Sequence, residues 1–382
     1  MNTASNRQHL LRRFEAFESA VEVQTAPIAV YRIYAISDVH VDADENWSWL
    51  EALAAAPDAV YARSALILPG DVCTDLTRLE RALRIFCGVF RAVFYCVGNH
   101  ELWSYGKDAP DSIERLLQIL TICRRIGVHT EPAVLDVGEQ PGTRVRVVPL
   151  HSWHSPAFCP ARPPSGYAKD FDAACKWPSC VNTYPSAISD GSAQAAVATT
   201  SGGSASAIAR ARMTRCSTHH LGARHSLAPG IAEFMARLNL RRLGCTPDPH
   251  LRRDMAAVGT GVKLETTTDV VGTGHIATAS SEENQRMVTI SCSHFLPLPE
   301  LYRGMASLTH VMGSPELMAQ VTALAPTVHV FGHSHMDCDE ILNGTRYVQH
   351  ALGMPHDRIF GVVPKLPKCV WPRNGENGPA LY

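Results

Sequence analysis

Residue types that bind metal ions recur at five places along the chain, each directly after a short apolar run. Aspartate, asparagine and histidine offer oxygen and imidazole ligands without cysteine, which favours Mn, Fe or Zn over the all-oxygen sites of Mg or Ca. Any one group alone is more often a cap or a surface turn, but five such groups together favour one shared metal site. The groups are Asp38-Val39-His40, Gly70-Asp71, Gly98-Asn99-His100-Glu101, Ser293-His294 and Gly332-His333-Ser334-His335.

The apolar runs before these groups have the length of β-strands. They are almost continuously hydrophobic, which is typical of a sheet covered on both faces. Residues at the carboxyl ends of such strands gather at one edge of an α/β sheet, so distant segments can form one site. The predicted strands are residues 31–36, 65–68, 92–97, 287–290 and 328–331, with a further strand over 144–150.

Helical patterns fill the intervals between these strands. Apolar residues recur every three or four positions over 47–56, 76–90 and 112–126, and Asp75 and Asp111 stand where the last two helices need N-caps. Alternation of strands and helices predicts an α/β fold.

The 382 residues favour one large domain with insertions. We predict an N-terminal extension over 1–30 and a domain over 31–382. Residues 186–230 and 259–283 are rich in small and polar residues, which predicts flexible insertions on either side of a helix over 231–243. We find no internal repeat.

Composition excludes several classes of protein. The 35 basic and 36 acidic residues almost balance, and without a long basic run no nucleic-acid-binding surface is expected. No run approaches the roughly 18 apolar residues of a membrane span. The start of the chain lacks the apolar stretch of a secretory signal, so we expect a cytoplasmic protein. The 12 cysteines contain no close pair typical of a zinc ribbon or redox motif, and we expect most to be reduced.

The five ordered groups resemble the motifs of the calcineurin-like metallophosphoesterases, and the resemblance runs from about residue 31 to residue 335. It implies a four-layer sandwich of two mixed sheets flanked by helices. It also implies two metal ions with Asp71 as the shared ligand. One ion would be held by Asp38, His40, Asp71 and His335, and the other by Asp71, Asn99, His294 and His333.

Such a centre favours phosphoesters. Two divalent ions, two carboxylates and a bridging hydroxide leave one net positive charge, which attracts a phosphoryl oxygen and stabilises the charge that develops during attack. Coordination lowers the pKa of water from about 15.7 toward roughly 7, which supplies the hydroxide at neutral pH. The resemblance assigns His100 to protonation of the leaving oxygen or to contact with the phosphate. Glu101 is either a supporting partner or an ordinary carboxylate of a first helical turn.

The sequence departs from the protein-phosphatase branch of this family. That branch has an aspartate three residues after the shared ligand, where it helps to orient the histidine, but this chain has Thr74 there and Asp75 one position later. No arginine occupies a recognisable phosphate-clamp position. His151 and His154 either line the cleft or pack, and we expect no redox role for the cysteines near the proposed ligands.

We therefore predict a dinuclear metal-dependent phosphoric ester hydrolase whose catalytic residues are His100 and Asp71. Its substrate is a phosphomonoester or a phosphodiester of unknown class. The alternatives are a non-catalytic interaction scaffold with the same fold, and a one-metal hydrolase, which would leave the recurrence at five strand ends unexplained.

Overall fold

The computed structural model describes residues 3–20, 26–104, 109–138, 143–159, 171–181, 230–243, 287–358 and 364–372. Apart from Gly230 at a boundary, the predicted insertions over 186–230 and 259–283 lie outside these ranges. Among the described residues, none of the helices combines the length and apolar character needed to cross a bilayer.

Two mixed sheets form the centre of the molecule, as the resemblance implied. The larger has the strand order β1-β5-β6-β7-β8-β10-β9 and the smaller β11-β2-β3-β4. The smaller sheet consists of β11 (Lys368–Trp371), β2 (Ile33–Ala35), β3 (Ala65–Pro69) and β4 (Ala92–Cys96). The larger consists of β1 (Ile28–Val30), β5 (Ala133–Val137), β6 (Thr143–Pro149), β7 (Val288–Cys292), β8 (Val328–Phe331), β10 (Thr345–Gln349) and β9 (Cys338–Leu342).

Parallel pairing at the centre of each sheet brings the predicted ligand groups to one edge. Strands β2, β3 and β4 are parallel neighbours, as are β6, β7, β8 and β10. Antiparallel pairs lie toward the sides of the sheets, between β11 and β2, β5 and β6, and β9 and β10. All five predicted ligand groups therefore follow strands that run in parallel within their sheets.

Alternation of side chains along the strands explains the continuous apolar runs. In β3, Ile67 belongs to the apolar core shared by the two sheets, whereas Leu66 and Leu68 belong to the core that includes the helices. Successive residues of a strand point to opposite faces, so a strand between two apolar layers requires hydrophobic residues at every position. The predicted layered α/β class is confirmed.

Helices cover the outer faces of the sheets. Asp75 accepts a hydrogen bond from the backbone N–H of Arg78, and Asp111 from those of Ile113 and Glu114, which confirms both predicted caps. The helices are α1 (Thr3–Ser19), α2 (Asp44–Ala55), α3 (Leu76–Val89), α4 (Asn99–Leu102), α5 (Ser112–Ile126), α6 (Ile231–Leu238) and α7 (Pro315–Leu324). Short 3-10 helices lie at Tyr61–Arg63, Pro156–Phe158, Pro299–Leu301, Ala306–Val311 and Pro355–Asp357.

The helix predicted over 231–243 ends five residues early, and turns follow. The side chain of Asn239 explains the end, because its amide accepts from the N–H of His151 and donates to the carbonyl of the same residue, both at 2.8 Å. This side chain is fully buried between two segments. A tertiary contact thus overrides a local helical pattern.

Residues of the predicted N-terminal extension pack onto the rest of the chain. The ring of Phe14 meets that of Phe234 edge to face at 6.0 Å, and Arg7 pairs with Glu233 at 2.5 Å. Strand β1 forms one edge of the larger sheet, beside β5. The boundary at residue 30 remains a prediction, although α1 and β1 add to the packed structure.

Candidate metal centre

All seven predicted metal ligands converge at the edge where the two sheets meet. Asp38, His40, Asp71 and His335 have ligand atoms within 4.8 Å of one another, and so do Asp71, His294 and His333. The seventh residue, Asn99, places its Oδ1 at 2.8 Å from Nε2 of His294 and 3.1 Å from Nδ1 of His333. We call Asp38, His40 and His335 the outer group, and Asn99, His294 and His333 the inner group.

Asp71 lies between the two groups. Its Oδ2 is 3.8 Å from Nε2 of His40 in the outer group, and its Oδ1 is 3.5 Å from Nε2 of His294 in the inner group. Burial opposes ionisation of this carboxyl, but the surrounding imidazoles, His294 foremost, hold its pKa well below the usual range. Asp71 is therefore an anion placed to face both groups at once.

The backbone at this site is held in a conformation that L-amino acids rarely adopt. Five of the seven candidate ligands have positive φ, and such residues cost about 1–3 kcal/mol each and persist only where the surroundings enforce them. Hydrogen bonds between the loops provide that enforcement, from the N–H of Asp38 to the carbonyl of Gly70 and from that of His40 to Asp71. The φ values are 51° at Asp38, 42° at His40, 54° at Asp71, 74° at His333 and 55° at His335.

Glycine is required where the loops approach most closely. A Cβ atom built on Gly98 would lie 2.2 Å from Oδ1 of Asp71, and one on Gly70 would lie 2.5 Å from Nδ1 of His294. Gly70 also has a φ of 81°. The glycines of these two motifs therefore make room for the ligand side chains themselves.

Backbone carbonyls fix the orientation of the inner histidines. Nδ1 of His294 lies 2.8 Å from the carbonyl oxygen of Pro69, and Nε2 of His333 lies 2.9 Å from that of Val311. A carbonyl oxygen only accepts, so both ring nitrogens donate. The opposite nitrogen of each ring then faces the other and Asn99, which is the arrangement that metal-binding histidines adopt.

Three acceptor atoms thus meet in the inner group. Nε2 of His294, Nδ1 of His333 and Oδ1 of Asn99 lie within 3.1 Å of one another, and such a cluster needs a positive charge at its centre. Burial lowers the pKa of His294, but the charges of Asp71 and Asp38 outweigh it and raise that pKa, so the local potential favours a cation. The donor set of imidazoles, carboxylates and one amide oxygen fits Mn, Fe or Zn.

The outer group is arranged differently. Nε2 of His335 lies 3.0 Å from Nε2 of His40, and Nδ1 of His335 pairs with the carboxylate of Asp357 at 2.6 Å. The carboxylate of Asp38 accepts from the hydroxyl of Ser37 and from the N–H of His333 at 2.8 Å. The outer group therefore has a carboxylate, two imidazoles and Asp71 available for a second ion.

His100 stands beside these ligands without belonging to either group. Its ring stacks on the indole of Trp103, with centroids 3.8 Å apart, and meets the ring of His40 at 4.7 Å. Its Nε2 lies 3.9 Å from Oδ2 of Asp71, and its side chain is 20% exposed. The imidazole is thus positioned at the mouth of the centre, within reach of a molecule bound there.

Comparison with known proteins shows a similarity to one family over part of the chain. Residues 31–156 match the family model described as calcineurin-like phosphoesterase. The match covers about a third of the chain, and over this segment it agrees with the predicted resemblance to the family. A curated relative, "[Acyl-carrier-protein] phosphodiesterase PptH" of Mycobacterium tuberculosis, is 28% identical over 131 residues, which is 34% of this chain. The match spans 39% of that relative, about two fifths of its length.

A solved structure supports the same fold. The crystal structure of phosphopantetheinyl hydrolase PptH from Mycobacterium tuberculosis aligns with a TM-score of 0.50 and 18% identity. The alignment covers 92% of this chain and 99% of that one. The solved structure therefore supports the predicted fold, and the resemblance to calcineurin-like phosphoesterases is carried by residues 31–156.

Glu101 supports the loops of the centre rather than facing solvent. Its buried carboxylate accepts from the N–H groups of Asp71 at 3.0 Å, Val72 at 2.5 Å and Gly98 at 2.8 Å. Burial, followed by the charge of Asp71, raises the pKa of Glu101 to about 7. Of the two roles left open by the sequence, the contacts favour the supporting one.

Neither residue near the family's missing aspartate contacts His100 in the described structure. The N–H of Thr74 donates to the carboxylate of Asp42 at 3.1 Å, and Asp75 caps α3. His100 must therefore be oriented by other residues.

Two of the residues that hold the ligands were missed by sequence reasoning. Asp172 accepts from the amide of Asn99 at 2.7 Å, and Asp357 pairs with His335. Both follow segments without a strong apolar pattern, and neither stands in a recognisable motif. A carboxylate that supports a ligand from a distant loop has no signature in a single sequence.

The remaining histidines and cysteines near the site differ in their burial and contacts. His151 is buried against Asn239, and burial holds its pKa well below the usual value, which indicates packing. His154 instead approaches the candidate centre, with Nε2 at 3.2 Å from Oδ2 of Asp172. Burial raises the pKa of Cys73 and Cys292, which opposes formation of reactive thiolates.

Proposed function

We propose that this chain is a calcineurin-like phosphoesterase that hydrolyses phosphodiesters with two metal ions, one held by the outer group and one by the inner group. The observation that carries this proposal is the convergence of two ligand groups on the single carboxylate of Asp71. When bound, the ions supply Lewis acidity toward a phosphoryl oxygen and lower the pKa of the water that serves as nucleophile. The choice among Mn, Fe and Zn is left to elemental analysis.

The ligand charges support an anionic substrate. Asp38 and Asp71 are the carboxylates among the seven proposed ligands, and the histidines and Asn99 bind as neutral groups. Burial lowers the pKa of His40 to about 3 and holds that of His333 well below its usual value, so both rings are neutral at physiological pH. Two divalent ions therefore exceed the ligand charge and leave a positive, water-excluded centre for phosphate oxygens.

His100 is the proposed general acid. A departing alkoxide needs a proton in the transition state, and an imidazole placed beside the reacting centre can donate it. The ring of His100 is accessible and lies 3.9 Å from Asp71 without joining either ligand group. Its stacking on Trp103 keeps it at the mouth of the centre.

The relative indicates the ester class and a first natural substrate to test. The name of that relative describes a phosphodiesterase of acyl carrier protein. We therefore infer diesters rather than monoesters as the substrates of this chain, with a phosphodiester-linked carrier protein as the first candidate. A scaffold has no need of five strained ligands, so the backbone geometry favours catalysis over that alternative.

Turnover of bis(4-nitrophenyl) phosphate and 4-nitrophenyl phosphate by the metal-loaded chain tests the proposal. We expect faster turnover of the diester, loss of activity on chelation, and recovery when metal is restored. A chain that binds two ions per molecule and hydrolyses neither ester would overturn the proposal and favour the scaffold.

His100→Asn tests the general acid within the same assay. We expect both metals to be retained and turnover to fall by about 100- to 10,000-fold for esters with basic leaving groups, with a smaller loss for aryl esters. The logarithm of the rate should depend more steeply on the pKa of the leaving group than in the parent. His9→Asn, on the exposed side of α1, is the matched control. Equal slopes with a uniform loss would indicate phosphate positioning instead.

A further inference from the structure

The support of the candidate centre continues behind the inner group, around the carboxylate of Asp172. One oxygen of this carboxylate, Oδ1, accepts two hydrogen bonds. The amide Nδ2 of Asn99 donates at 2.7 Å and the indole Nε1 of Trp103 at 2.8 Å. The side chain is 5% exposed, and its backbone has a φ of 60°. A strained residue thus joins two others that flank the reacting centre.

The first hydrogen bond determines which end of Asn99 faces the metal ligands. With Nδ2 bound to Asp172, the amide oxygen points to Nε2 of His294 at 2.8 Å. A rotated amide would present N–H groups to the centre instead, and these cannot bind a metal. Asp172 therefore selects the ligating orientation of Asn99.

The second hydrogen bond acts on His100 through Trp103. The indole lies against the imidazole with ring centroids 3.8 Å apart and an angle of 29° between the planes. Within the described ranges, no side-chain hydrogen bond fixes the imidazole of His100, and Thr74 stands where the family's orienting aspartate would be. The stacked indole therefore helps to set the orientation of the imidazole, together with the ring of His40 and the carboxylate of Asp71.

The second oxygen of Asp172 makes a different contact. Oδ2 lies 3.2 Å from Nε2 of His154, a pair that is buried but lacks hydrogen-bond geometry. The ring of His154 packs at 5.6 Å from that of Phe295. A second imidazole thus lies against Oδ2, while Oδ1 accepts from Asn99 and Trp103.

We propose that Asp172 is a positioning residue that orients both Asn99 and His100, the second through the indole of Trp103. It would thereby supply the orienting function of the aspartate that is absent at position 74. The consequence for catalysis rests on the proposed function, whereas the hydrogen bonds can be tested without turnover.

Asp172→Asn tests this role because it keeps the shape of the side chain but offers a single acceptor and places an NH₂ group among donors. In the metal-free chain, the indole N–H resonance of Trp103, identified by its loss in Trp103→Phe, should shift upfield in Asp172→Asn. Competition with a chelator should show metal binding weakened by about 10- to 100-fold. Asp75→Asn, an exposed cap of α3, is the matched control and should change neither measurement.

The leaving-group series then tests the effect on His100. Asp172→Asn should steepen the dependence of rate on leaving-group pKa, and adding it to His100→Asn should cause little further change in slope. Trp103→Phe keeps a ring for stacking but removes the donor, and it should share the change in slope while retaining metal. If Asp172→Asn shows no cooperative unfolding and is therefore not folded, Trp103→Phe still tests whether the indole orients His100.

The outcomes separate this inference from the proposed function. An unchanged indole resonance with parental metal affinity would overturn the positioning role, whether or not the parent hydrolyses esters. An active parent whose Asp172→Asn and Trp103→Phe variants keep the parental slope would overturn the effect on His100 alone. An inactive parent with a shifted resonance and weakened metal binding would count against the proposed function but support the positioning of Asn99.

Discussion

The inner and outer groups of the centre are built from similar ligands but are held in different ways. In the inner group, the rings of His294 and His333 are fixed by the backbone carbonyls of Pro69 and Val311. In the outer group, His335 is 23% exposed and is held by the carboxylate of Asp357, itself 34% exposed. The inner group is thus supported by neutral, buried carbonyls, whereas the outer group is supported by a charged and more accessible carboxylate.

The two groups also differ in the protonation of their histidines when no metal is bound. Burial lowers the pKa of His335, but the hydrogen bond and charge of Asp357 outweigh it and raise the pKa to about 9. At neutral pH the metal-free outer group therefore carries a proton on His335, which a metal ion must displace. In the inner group, burial holds the pKa of His333 well below the usual range, and His294, whose pKa is raised, is already fixed by the carbonyl of Pro69 with its Nε2 toward the other acceptors. We expect the inner group to bind first and the outer group to respond to pH.

Removal of Asp71 should have the largest effect on turnover and metal binding, because both groups use this carboxylate. We expect Asp71→Ala to lower turnover by more than about 100-fold and to weaken binding at both groups, since two ions would lose their common negative charge. Elemental analysis and diester turnover measure both effects. Asp44→Ala, whose side chain is 93% exposed, is the matched control. Two retained ions with a near-parental rate would show that Asp71 is not the shared ligand.

Substitution of one histidine in each group should show which group contributes more to metal retention and stability. We expect His294→Ala to lose metal and lower the melting temperature, because it leaves the carbonyl of Pro69 buried without its donor, at a cost of about 1–3 kcal/mol. His335→Ala should keep the inner metal and most of the stability, and excess metal should restore part of its activity. Thermal unfolding and metal content after dialysis distinguish the two. Equal losses in both variants would contradict the ranking.

The protons released on metal binding should provide a further test of how the two groups differ. When metal binds to the parent at pH 7.5, His335 should release close to one proton, because its pKa of about 9 keeps it charged beforehand. Asp357→Asn removes the carboxylate that raises this pKa, so the variant should release clearly less. Titration in weakly buffered solution with a pH indicator measures the difference. Equal release would show that Asp357 does not control this proton.

At neutral pH, the smallest effect should come from the support behind the inner group. His329 contacts the hydroxyls of Ser291 and Ser293 at 2.7 and 3.0 Å, and burial lowers its pKa to about 3. Its folded pKa lies below the unfolded value of about 6.5, so its contribution to stability is present above pH 6.5 and is lost as the pH falls toward 3.

His329→Gln should therefore weaken the loss of stability between pH 6.5 and 3. One proton taken up on unfolding corresponds to a slope of about 1.4 kcal/mol per pH unit. Urea unfolding of parent and variant at several pH values measures this slope, with His9→Gln on the surface of α1 as the control. Parallel pH profiles would show that His329 titrates alike in the folded and unfolded chains.

The parts that were predicted from sequence share one physical origin. Strands covered on both faces must be apolar throughout, and their ends must turn sharply, so β3 and β8 with their ligand groups stand out from the surrounding chain. The caps of α3 and α5 are equally local, since an aspartate satisfies N–H groups within its own turn. Features that depend on neighbouring residues can therefore be recognised in a single sequence.

The remaining parts depend on contacts between distant segments. Strand β9 alternates between half-buried and exposed residues, and β11 has only four residues, so neither resembles the buried runs. Asp172 reaches Asn99 across 73 positions, and Asp357 reaches His335 across 22. These partners are selected by the folded structure, and no spacing rule relates them.

Stepwise metal reconstitution tests the central claim most directly. Mn²⁺ is added to the metal-free chain while bound metal and turnover of bis(4-nitrophenyl) phosphate are measured on the same samples. We expect little turnover while the first equivalent fills the inner group, followed by a rise that reaches its plateau at two ions per chain. Full turnover at one ion per chain, or none at two, would contradict a dinuclear centre shared through Asp71.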